Sequence, residues 1–232
     1  MNKKTEFENK GFAVVPEVYN SSEISQLRNI LDAYCSKLDQ NKPVHAIRRA
    51  IKRIPELGPL LWNKNMKALI SEMGGTDFFL TKSIYFDKPK ESNWFVSYHQ
   101  DLSISVEEKH QLENYGNWTK KDDQFGVQPP LEVLENIITL RLHLDDTDEN
   151  NGALKLIPSS HKLGVKRIHE VSTESEVLCK VPRGAIMLMK PLTFHASSRS
   201  KVQKRRRVLH LEFSNQELVK PLNWNEKLRL TY

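Results

Sequence analysis

The sequence predicts a mainly β fold with flanking α-helices, an antiparallel β-sandwich or jelly roll with helices packed on one side. Two observations predict this fold class. The first third of the chain has the apolar spacing of helix faces, and after Gly75 the chain divides into short β-branched and aromatic runs. Helices followed by many short strands are typical of such a layered domain. Residues 1–232 contain no repeat or low-complexity segment, so we expect one domain, with a mostly helical part (1–75) packed on a β core (76–232).

Two helices are predicted in the N-terminal part. The first follows Asn20, which forms a variant capping box with Glu23, and its apolar face carries Ile24, Leu27, Leu31, Tyr34 and Leu38. The second is expected over residues 56–73, and Gly74-Gly75 is a suitable stop. Its inward residues are Leu57, Leu60, Leu61, Leu69 and Ile70.

The β core is predicted from its short apolar runs. Strands are expected over residues 78–86, 94–98, 137–144, 153–157, 185–189 and 208–213. The segment between residues 106 and 132 is long and polar, and it carries Tyr115, Trp118 and Phe125. Loops of that length in compact domains are usually lids or binding loops, so we expect a functional loop here.

Composition excludes several classes of protein. Two cysteines cannot form a disulfide framework, and no segment has the length and apolarity of a signal sequence or a membrane helix. We therefore expect a cytoplasmic protein that does not bind membranes. The sequence carries no signal for an oligomeric state.

The chain is basic, since 35 Lys and Arg against 29 Asp and Glu give a formal net charge of +6. Much of the excess lies in residues 48–53 and 201–207. The second run leaves a nucleic-acid binder open as an alternative, but it lacks the interleaved aromatic residues that single-strand binding uses. We expect a small-molecule substrate and no nucleic-acid partner.

The motif His99-Gln100-Asp101 is the best local signal of chemistry. Side chains two apart in a strand point the same way, so an imidazole and a carboxylate converge there. These are two members of the facial triad that holds Fe(II) in non-heme oxygenases. His195, directly after an apolar strand, is the best candidate for the third ligand; the competing interpretation is a histidine whose hydrogen bonds are satisfied at a strand end.

An arginine in the last predicted strand supports a ligand cavity. Alternation places Arg206, Val208, His210 and Glu212 on one face and the apolar residues Leu209, Leu211 and Phe213 on the other. A half-polar face on a central strand suits a cavity lining, and a guanidinium there can bind a carboxylate through two parallel hydrogen bonds. Arg207 and Arg205 remain alternatives if the register differs.

With these residues the chain resembles the phytanoyl-CoA dioxygenase-type family of Fe(II)/2-oxoglutarate oxygenases. The resemblance covers nearly the whole chain, through residues 11–16, His99-Gln100-Asp101, residues 142–161, His195 and residues 206–210. The stretch 142–161 is long and specific. One departure is Ser159, where the family usually has Gly before Ser-His; the change concerns a structural turn and not the chemistry.

The resemblance implies a double-stranded β-helix (a cupin-like jelly roll) with Fe(II) ligated by His99, Asp101 and His195. It also implies that 2-oxoglutarate pairs its distal carboxylate with Arg206, assisted by Ser197. Lys82 matches a further polar contact to the cofactor. Trp118 matches a tryptophan near the cofactor or substrate in some members; the alternative is that it anchors its loop.

The implied activity is dioxygen-dependent hydroxylation of a small organic substrate, with release of succinate and CO2. Halogenating relatives replace the carboxylate at the position of Asp101 with a small residue, so its presence favours hydroxylation. Family members act on acyl-CoA, osmolytes and natural-product intermediates, and no residue set here indicates a CoA site. The alternative function is a metal-binding cupin-type jelly roll without oxygenase activity, a sensor or an isomerase, which has no need of Arg206.

Overall fold

The computed structural model describes residues 2–38, 44–88, 95–121, 124–202 and 204–230. Within these ranges the helices are α1 (Lys3–Lys10), α2 (Ser21–Cys35), α3 (Ala50–Arg53), α4 (Gly58–Leu61), α5 (Lys64–Gly74) and α6 (Leu131–Glu135). The strands in chain order are β1 (Phe12–Val15), β2 (Ala46–Arg48), β3 (Phe79–Lys88), β4 (Val96–His99), β5 (Ile104–Val106), β6 (Gly116–Lys121), β7 (Gln124–Gln128), β8 (Ile138–His143), β9 (Leu154–Leu156), β10 (Val177–Cys179), β11 (Ile186–Met189), β12 (His195–Ser197), β13 (Arg206–Ser214) and β14 (Leu228–Arg229).

The strands of the described residues form three antiparallel sheets. The largest has the order β1-β11-β8-β13-β3-β14, with β2 also paired to β3. A four-stranded sheet has the order β10-β9-β12-β4, and a three-stranded sheet has the order β5-β7-β6. The seven-stranded and four-stranded sheets line one cavity between them, and they are not closed into a barrel. The predicted mainly β, jelly-roll fold class is confirmed.

A helical layer covers the outer face of the seven-stranded sheet. Leu27 and Leu31 of α2 share one buried cluster with Leu209 and Leu211 of β13. Because strand side chains alternate, the neighbours of these leucines on β13 point to the opposite face, into the space between the two sheets. The apolar face of the last predicted strand is therefore core, and its polar face lines the cavity.

The first predicted helix is confirmed, together with its cap. Asn20 Oδ1 accepts hydrogen bonds from the backbone N–H of Ser22 and Glu23 at 2.9 and 3.0 Å, and the Asn20 N–H donates to the Glu23 carboxylate at 2.7 Å. This reciprocal capping box satisfies N–H groups that the first helical turn leaves without partners.

The second predicted helix is not continuous. A 3₁₀ turn (Pro55–Leu57) and the short α4 precede a break at Trp62, and α5 then begins after Asn63. Asn63 Oδ1 accepts from the Met66 N–H at 2.8 Å, so Asn63 caps a new helix. The apolar pattern of the sequence continues across this cap and therefore predicts a single helix. Gly75 ends α5 as predicted.

The segment over residues 106–132, which we expected to be a loop, contains regular secondary structure. Two strands of this segment, β6 and β7, pair antiparallel, and β5 extends them into the three-stranded sheet. The predicted strand over 94–98 is observed as β4, while Trp94 lies outside the described residues. Among the described helices, none has the length and apolarity to cross a bilayer.

Candidate active site

The His99–Asp101 motif is fixed in place by the residue between its two members. His99 ends β4, and the Asp101 N–H donates to the Pro191 carbonyl at 2.9 Å. The buried Gln100 side chain donates to the Leu192 carbonyl at 2.7 Å and accepts from the Lys166 N–H at 3.0 Å. The middle residue therefore anchors the motif to two neighbouring segments, so both side chains have a defined direction.

His195 meets this motif across the four-stranded sheet. In the register of β12 and β4, His195 lies directly opposite His99, and the ring centroids are 4.2 Å apart. Each Nε2 lies 3.8 Å from a carboxylate oxygen of Asp101. One donor atom from each of the three residues lies within 4.8 Å of the others, a cluster that could hold a metal ion.

The hydrogen bonds of the two histidines assign their tautomers. His99 Nδ1 lies 2.9 Å from the Ser97 carbonyl, and His195 Nδ1 lies 2.9 Å from the Thr193 carbonyl. A carbonyl only accepts, so each Nδ1 carries the proton and each Nε2 directs a lone pair into the space between the three donor atoms. Asp101 Oδ2 is buried without a hydrogen-bond partner among the described residues.

The charges of the cluster suit a divalent cation. Burial would raise the pKa of Asp101, but His195, His210, His99 and Lys82 together lower it to about 2. Burial lowers the pKa of His195 to about 4, despite the opposing effect of Asp101. At neutral pH the site thus offers a carboxylate and a neutral imidazole, which are the protonation states that metal ligands require. Two nitrogen donors and an orphaned carboxylate oxygen fit an iron site.

A second cluster, around Arg206, forms one end of the same cavity of about 250 Å³. Arg206 is 9% exposed, donates to the Gly152 carbonyl, and lies 3.4 Å from Ser197 Oγ. Its Nε has no partner among the described residues. Lys88 lies directly opposite Arg206 in the pairing of β13 with β3, and it also lines the cavity. Two cations, a hydroxyl and an orphaned guanidinium N–H suit a carboxylate ligand.

Gly152 shapes this end of the cavity. Its φ is +84°, a conformation that favours glycine, and a Cβ there would lie 3.3 Å from Ser197 Oγ and 3.4 Å from the Arg206 guanidinium. Ser197 Oγ also donates to the Gly152 carbonyl at 3.0 Å. The absence of a side chain therefore lets the hydroxyl and the guanidinium approach the same backbone turn.

The three consecutive arginines divide between two faces. Arg205 pairs with Asp87 at 2.6 Å, and Arg207 pairs with Asp145 at 2.9 Å. Both also reach Asp32 of α2, so they connect the helical layer to the sheet. Of these three arginines, Arg206 alone lines the cavity, which is the face that strand alternation predicts for it.

Lys82 lies toward the other end of the cavity. It is paired with Glu212 on β13, at 2.8 Å, and donates to the Ser103 carbonyl at 2.6 Å. Lys88 lies six positions after Lys82 along β3, a distance of roughly 20 Å at about 3.3 Å per residue. The structure therefore does not bring Lys82 together with Arg206 and Ser197.

A chain of polar side chains connects Lys82 to the interior. Glu212 accepts from His210 Nε2 at 3.0 Å, and Arg141 donates to His210 Nδ1 at 3.0 Å. A guanidinium only donates, so this histidine is the neutral tautomer with its proton on Nε2. The buried Arg141 has an unpartnered Nε among the described residues and, like Glu212, lines the cavity.

Trp118 is not brought to the metal cluster. It packs on the apolar side of the three-stranded sheet, and Lys109 lies over its ring at 5.9 Å. Its strand neighbours Asn117 and Thr119 line a second cavity instead. This position corresponds to the loop-anchor alternative.

The sequence interpretation missed Lys88 and Arg141 as cavity residues, and it missed the close approach of Gly152 to Ser197 and Arg206. Alternation along β3 and β8 could have indicated the first two. No local pattern relates Lys88 to Arg206, since their pairing joins residues 118 positions apart.

The family model for phytanoyl-CoA dioxygenase matches residues 7–208 of this chain. The chain belongs to the phytanoyl-CoA dioxygenase family. This confirms the resemblance found in the motifs, and the match spans both members of the His-x-Asp pair, His195 and Arg206. Fe(II) and 2-oxoglutarate are the cofactors of such oxygenases, and the cofactor prediction is confirmed. Comparison with curated proteins gives no significant match.

Several solved structures resemble this family member. EctD from S. alaskensis with 2-oxoglutarate and 5-hydroxyectoine is 16% identical with a TM-score of 0.70, over 94% of this chain and 77% of that chain. AviO1 from Streptomyces viridochromogenes is 17% identical with a TM-score of 0.68, over 91% and 93%. The α-ketoglutarate-dependent epimerase SnoN from nogalamycin biosynthesis is 14% identical with a TM-score of 0.67, over 91% and 79%. These similarities show a shared fold.

Proposed function

We propose that this protein is an Fe(II)- and 2-oxoglutarate-dependent dioxygenase that hydroxylates a small organic substrate and releases succinate and CO2. One observation carries the proposal. A member of the phytanoyl-CoA dioxygenase family has a two-histidine, one-carboxylate cluster and a buried arginine lining the same cavity. The similar EctD structure with 2-oxoglutarate and a hydroxylated compound supports it.

His99, Asp101 and His195 would hold the iron. Bound Fe(II) and 2-oxoglutarate supply the activation of dioxygen and the oxidising power. The protein contributes the orientation of the donors: the Ser97 and Thr193 carbonyls fix the two imidazole tautomers, and Gln100 fixes the backbone between His99 and Asp101. Such supporting hydrogen bonds orient metal ligands and raise their basicity.

Arg206 and Ser197 would bind the distal carboxylate of 2-oxoglutarate, with Lys88 as a second cation opposite. Lys82, which the family pattern relates to the cofactor, is paired with Glu212 at the far end of the cavity. We therefore assign Lys82 to the substrate side. For Trp118 we propose a loop-anchoring role, because it packs in the apolar cluster under the three-stranded sheet.

The test is oxygen uptake and succinate formation by anaerobically Fe(II)-loaded protein given 2-oxoglutarate alone. We expect slow turnover in the wild type and none in Asp101→Ala, which removes the carboxylate ligand. Arg206→Ala should reduce turnover by weakening 2-oxoglutarate binding. The oxygenase proposal would be refuted if the wild-type protein showed no turnover and 2-oxoglutarate with metal did not stabilise it. That result would favour the cupin-type sensor or isomerase.

An α-ketoglutarate-dependent epimerase is among the similar structures, so the outcome of the reaction needs its own measurement. Once a substrate is found, isotopically labelled dioxygen distinguishes the two. Hydroxylation incorporates label into the product, whereas inversion of a stereocentre leaves the product unlabelled.

A further inference from the structure

A second cavity of about 380 Å³ continues from the metal cavity toward the three-stranded sheet. Lys82, Ile84 and Phe86 line both cavities, so the two spaces meet at the inner face of β3. We call this second space the outer pocket. A molecule held in it would lie next to the metal cluster.

The three-stranded sheet turns its polar face to the outer pocket. Ile104, Val106 and Val127 are buried in an apolar cluster on one side of that sheet. Because side chains alternate along a strand, the neighbours of such inward residues on the three strands point to the other side of the sheet. These residues line the outer pocket with hydroxyl and amide groups: Ser103, Ser105, Asn117, Thr119, Gln124 and Gln128.

Two details indicate that these groups form a binding surface. Gln124 is 8% exposed and lines the outer pocket. At Gly126 a Cβ would lie 2.6 Å from Thr119 Oγ1 and 2.8 Å from Ser103 Oγ, so the lack of a side chain leaves room for two hydroxyls. Buried polar groups are normally hydrogen-bonded, so a cavity lined by several amides and hydroxyls suits a polar ligand.

The charged groups of the outer pocket are basic. Arg48, Lys82 and Lys121 line it, and no carboxylate does so among the described residues. The apolar lining consists of Ile84, Phe86 and Leu102, and the first two also face the metal cavity. A long acyl chain would leave the amides and hydroxyls without partners, at a cost in binding free energy.

We propose that the outer pocket binds the primary substrate and that this substrate is a small polyhydroxylated anion. This assignment rests on the proposed function. Its carboxylate or phosphate would lie near Arg48 and Lys121, and its hydroxyls would bond to Gln124 and to the other hydroxyls and amides of the sheet. The carbon to be oxidised would then lie between Ile84, Phe86 and the metal cluster.

The experiment is anaerobic calorimetry on full-length Mn(II)-substituted protein saturated with 2-oxoglutarate. The probes are gluconate and glucose 6-phosphate as hydrophilic anions, glucose as their neutral counterpart, and octanoate as an apolar anion. We expect at least one hydrophilic anion to bind at least tenfold more tightly than glucose and octanoate. Gluconate carries a carboxylate and glucose 6-phosphate carries a phosphate, so the tighter binder of the two identifies the anionic group that the pocket prefers.

Variants test the placement of the ligand. Arg48→Gln and Gln124→Leu should each weaken that binding at least fivefold, whereas Lys52→Gln, which removes one exposed cation from the same region, should not. Three results would overturn the proposal. Octanoate could bind in preference to both hydrophilic anions, neither hydrophilic anion could bind, or the binding could be insensitive to both variants. If 2-oxoglutarate itself does not bind, the proposed function fails first and this assignment fails with it.

Discussion

Replacing Arg206 with methionine removes the cation at one end of the cavity while keeping a side chain of similar length. If Arg206 binds the distal carboxylate of 2-oxoglutarate, the variant leaves that carboxylate buried with Ser197 and Lys88 alone. Truncating one partner of a buried, hydrogen-bonded charge pair costs about 2–5 kcal/mol. Because Lys88 remains opposite, we expect the lower part of that range, about 2–3 kcal/mol.

At about 1.4 kcal/mol for each tenfold change, the dissociation constant of 2-oxoglutarate should rise roughly 30- to 150-fold. The assay is anaerobic calorimetric titration of 2-oxoglutarate into Mn(II)-loaded protein, with the affinity for Mn(II) measured separately. Metal affinity should be unchanged, since Arg206 contacts none of the proposed ligands.

Lys204→Met is the matched control, because it removes an exposed cation two positions away on the same segment. A thermal melt of each variant shows whether it is folded. If folded Arg206→Met binds 2-oxoglutarate within threefold of the wild type, Arg206 is not the carboxylate partner, and the assignment of this end of the cavity to the cofactor is refuted.

Two further predictions concern the Arg206 end of the cavity, and a third concerns the core beneath it. Gly152→Ala forces a side chain onto a left-handed φ beside Ser197 and Arg206, so we expect at least tenfold weaker 2-oxoglutarate binding by calorimetry, and an unchanged affinity would contradict the close approach. Burial, together with Arg206, lowers the pKa of Lys88 to about 8. The attraction between this ammonium and a carboxylate is present below that pH and is lost as pH rises through it. The affinity for 2-oxoglutarate should therefore fall above about pH 8 in the wild type and fall less in Lys88→Met. Equal pH profiles of the two proteins would refute a role of Lys88 in binding the carboxylate. Leu211→Ala on the opposite face of β13 should cost about 2–5 kcal/mol of unfolding free energy in urea, while 2-oxoglutarate affinity of the folded protein stays within threefold.

Much of the candidate site could be predicted from local sequence patterns. Side-chain alternation predicts that His99 and Asp101 point the same way and that Arg206 shares a face with His210 and Glu212. The capping box at Asn20 is likewise a local pattern, and the structure contains it. These predictions succeed because the period of a strand and the geometry of a helix start depend on residues a few positions apart.

Other elements were missed because non-local contacts decide them. The sequence of β6, Gly-Asn-Trp-Thr-Lys-Lys, has few residues of high β propensity, and its pairing with β7 makes it a strand. The break at Trp62 is hidden in an apolar pattern that continues on both sides of it. The outer pocket could not be predicted, because the segment expected to be a loop contains the strands that line it.

The sequence by itself determined the family, the donor types and the face on which each donor lies, because these follow from motifs and from short-range periodicity. The tertiary structure alone decided that His195 lies opposite His99, that Arg206 rather than Arg205 or Arg207 lines the cavity, and that Lys88 stands across from it. The physical reason is that antiparallel pairing joins residues far apart in the chain. A spacing of many residues carries no information about distance until the register of the sheet is fixed.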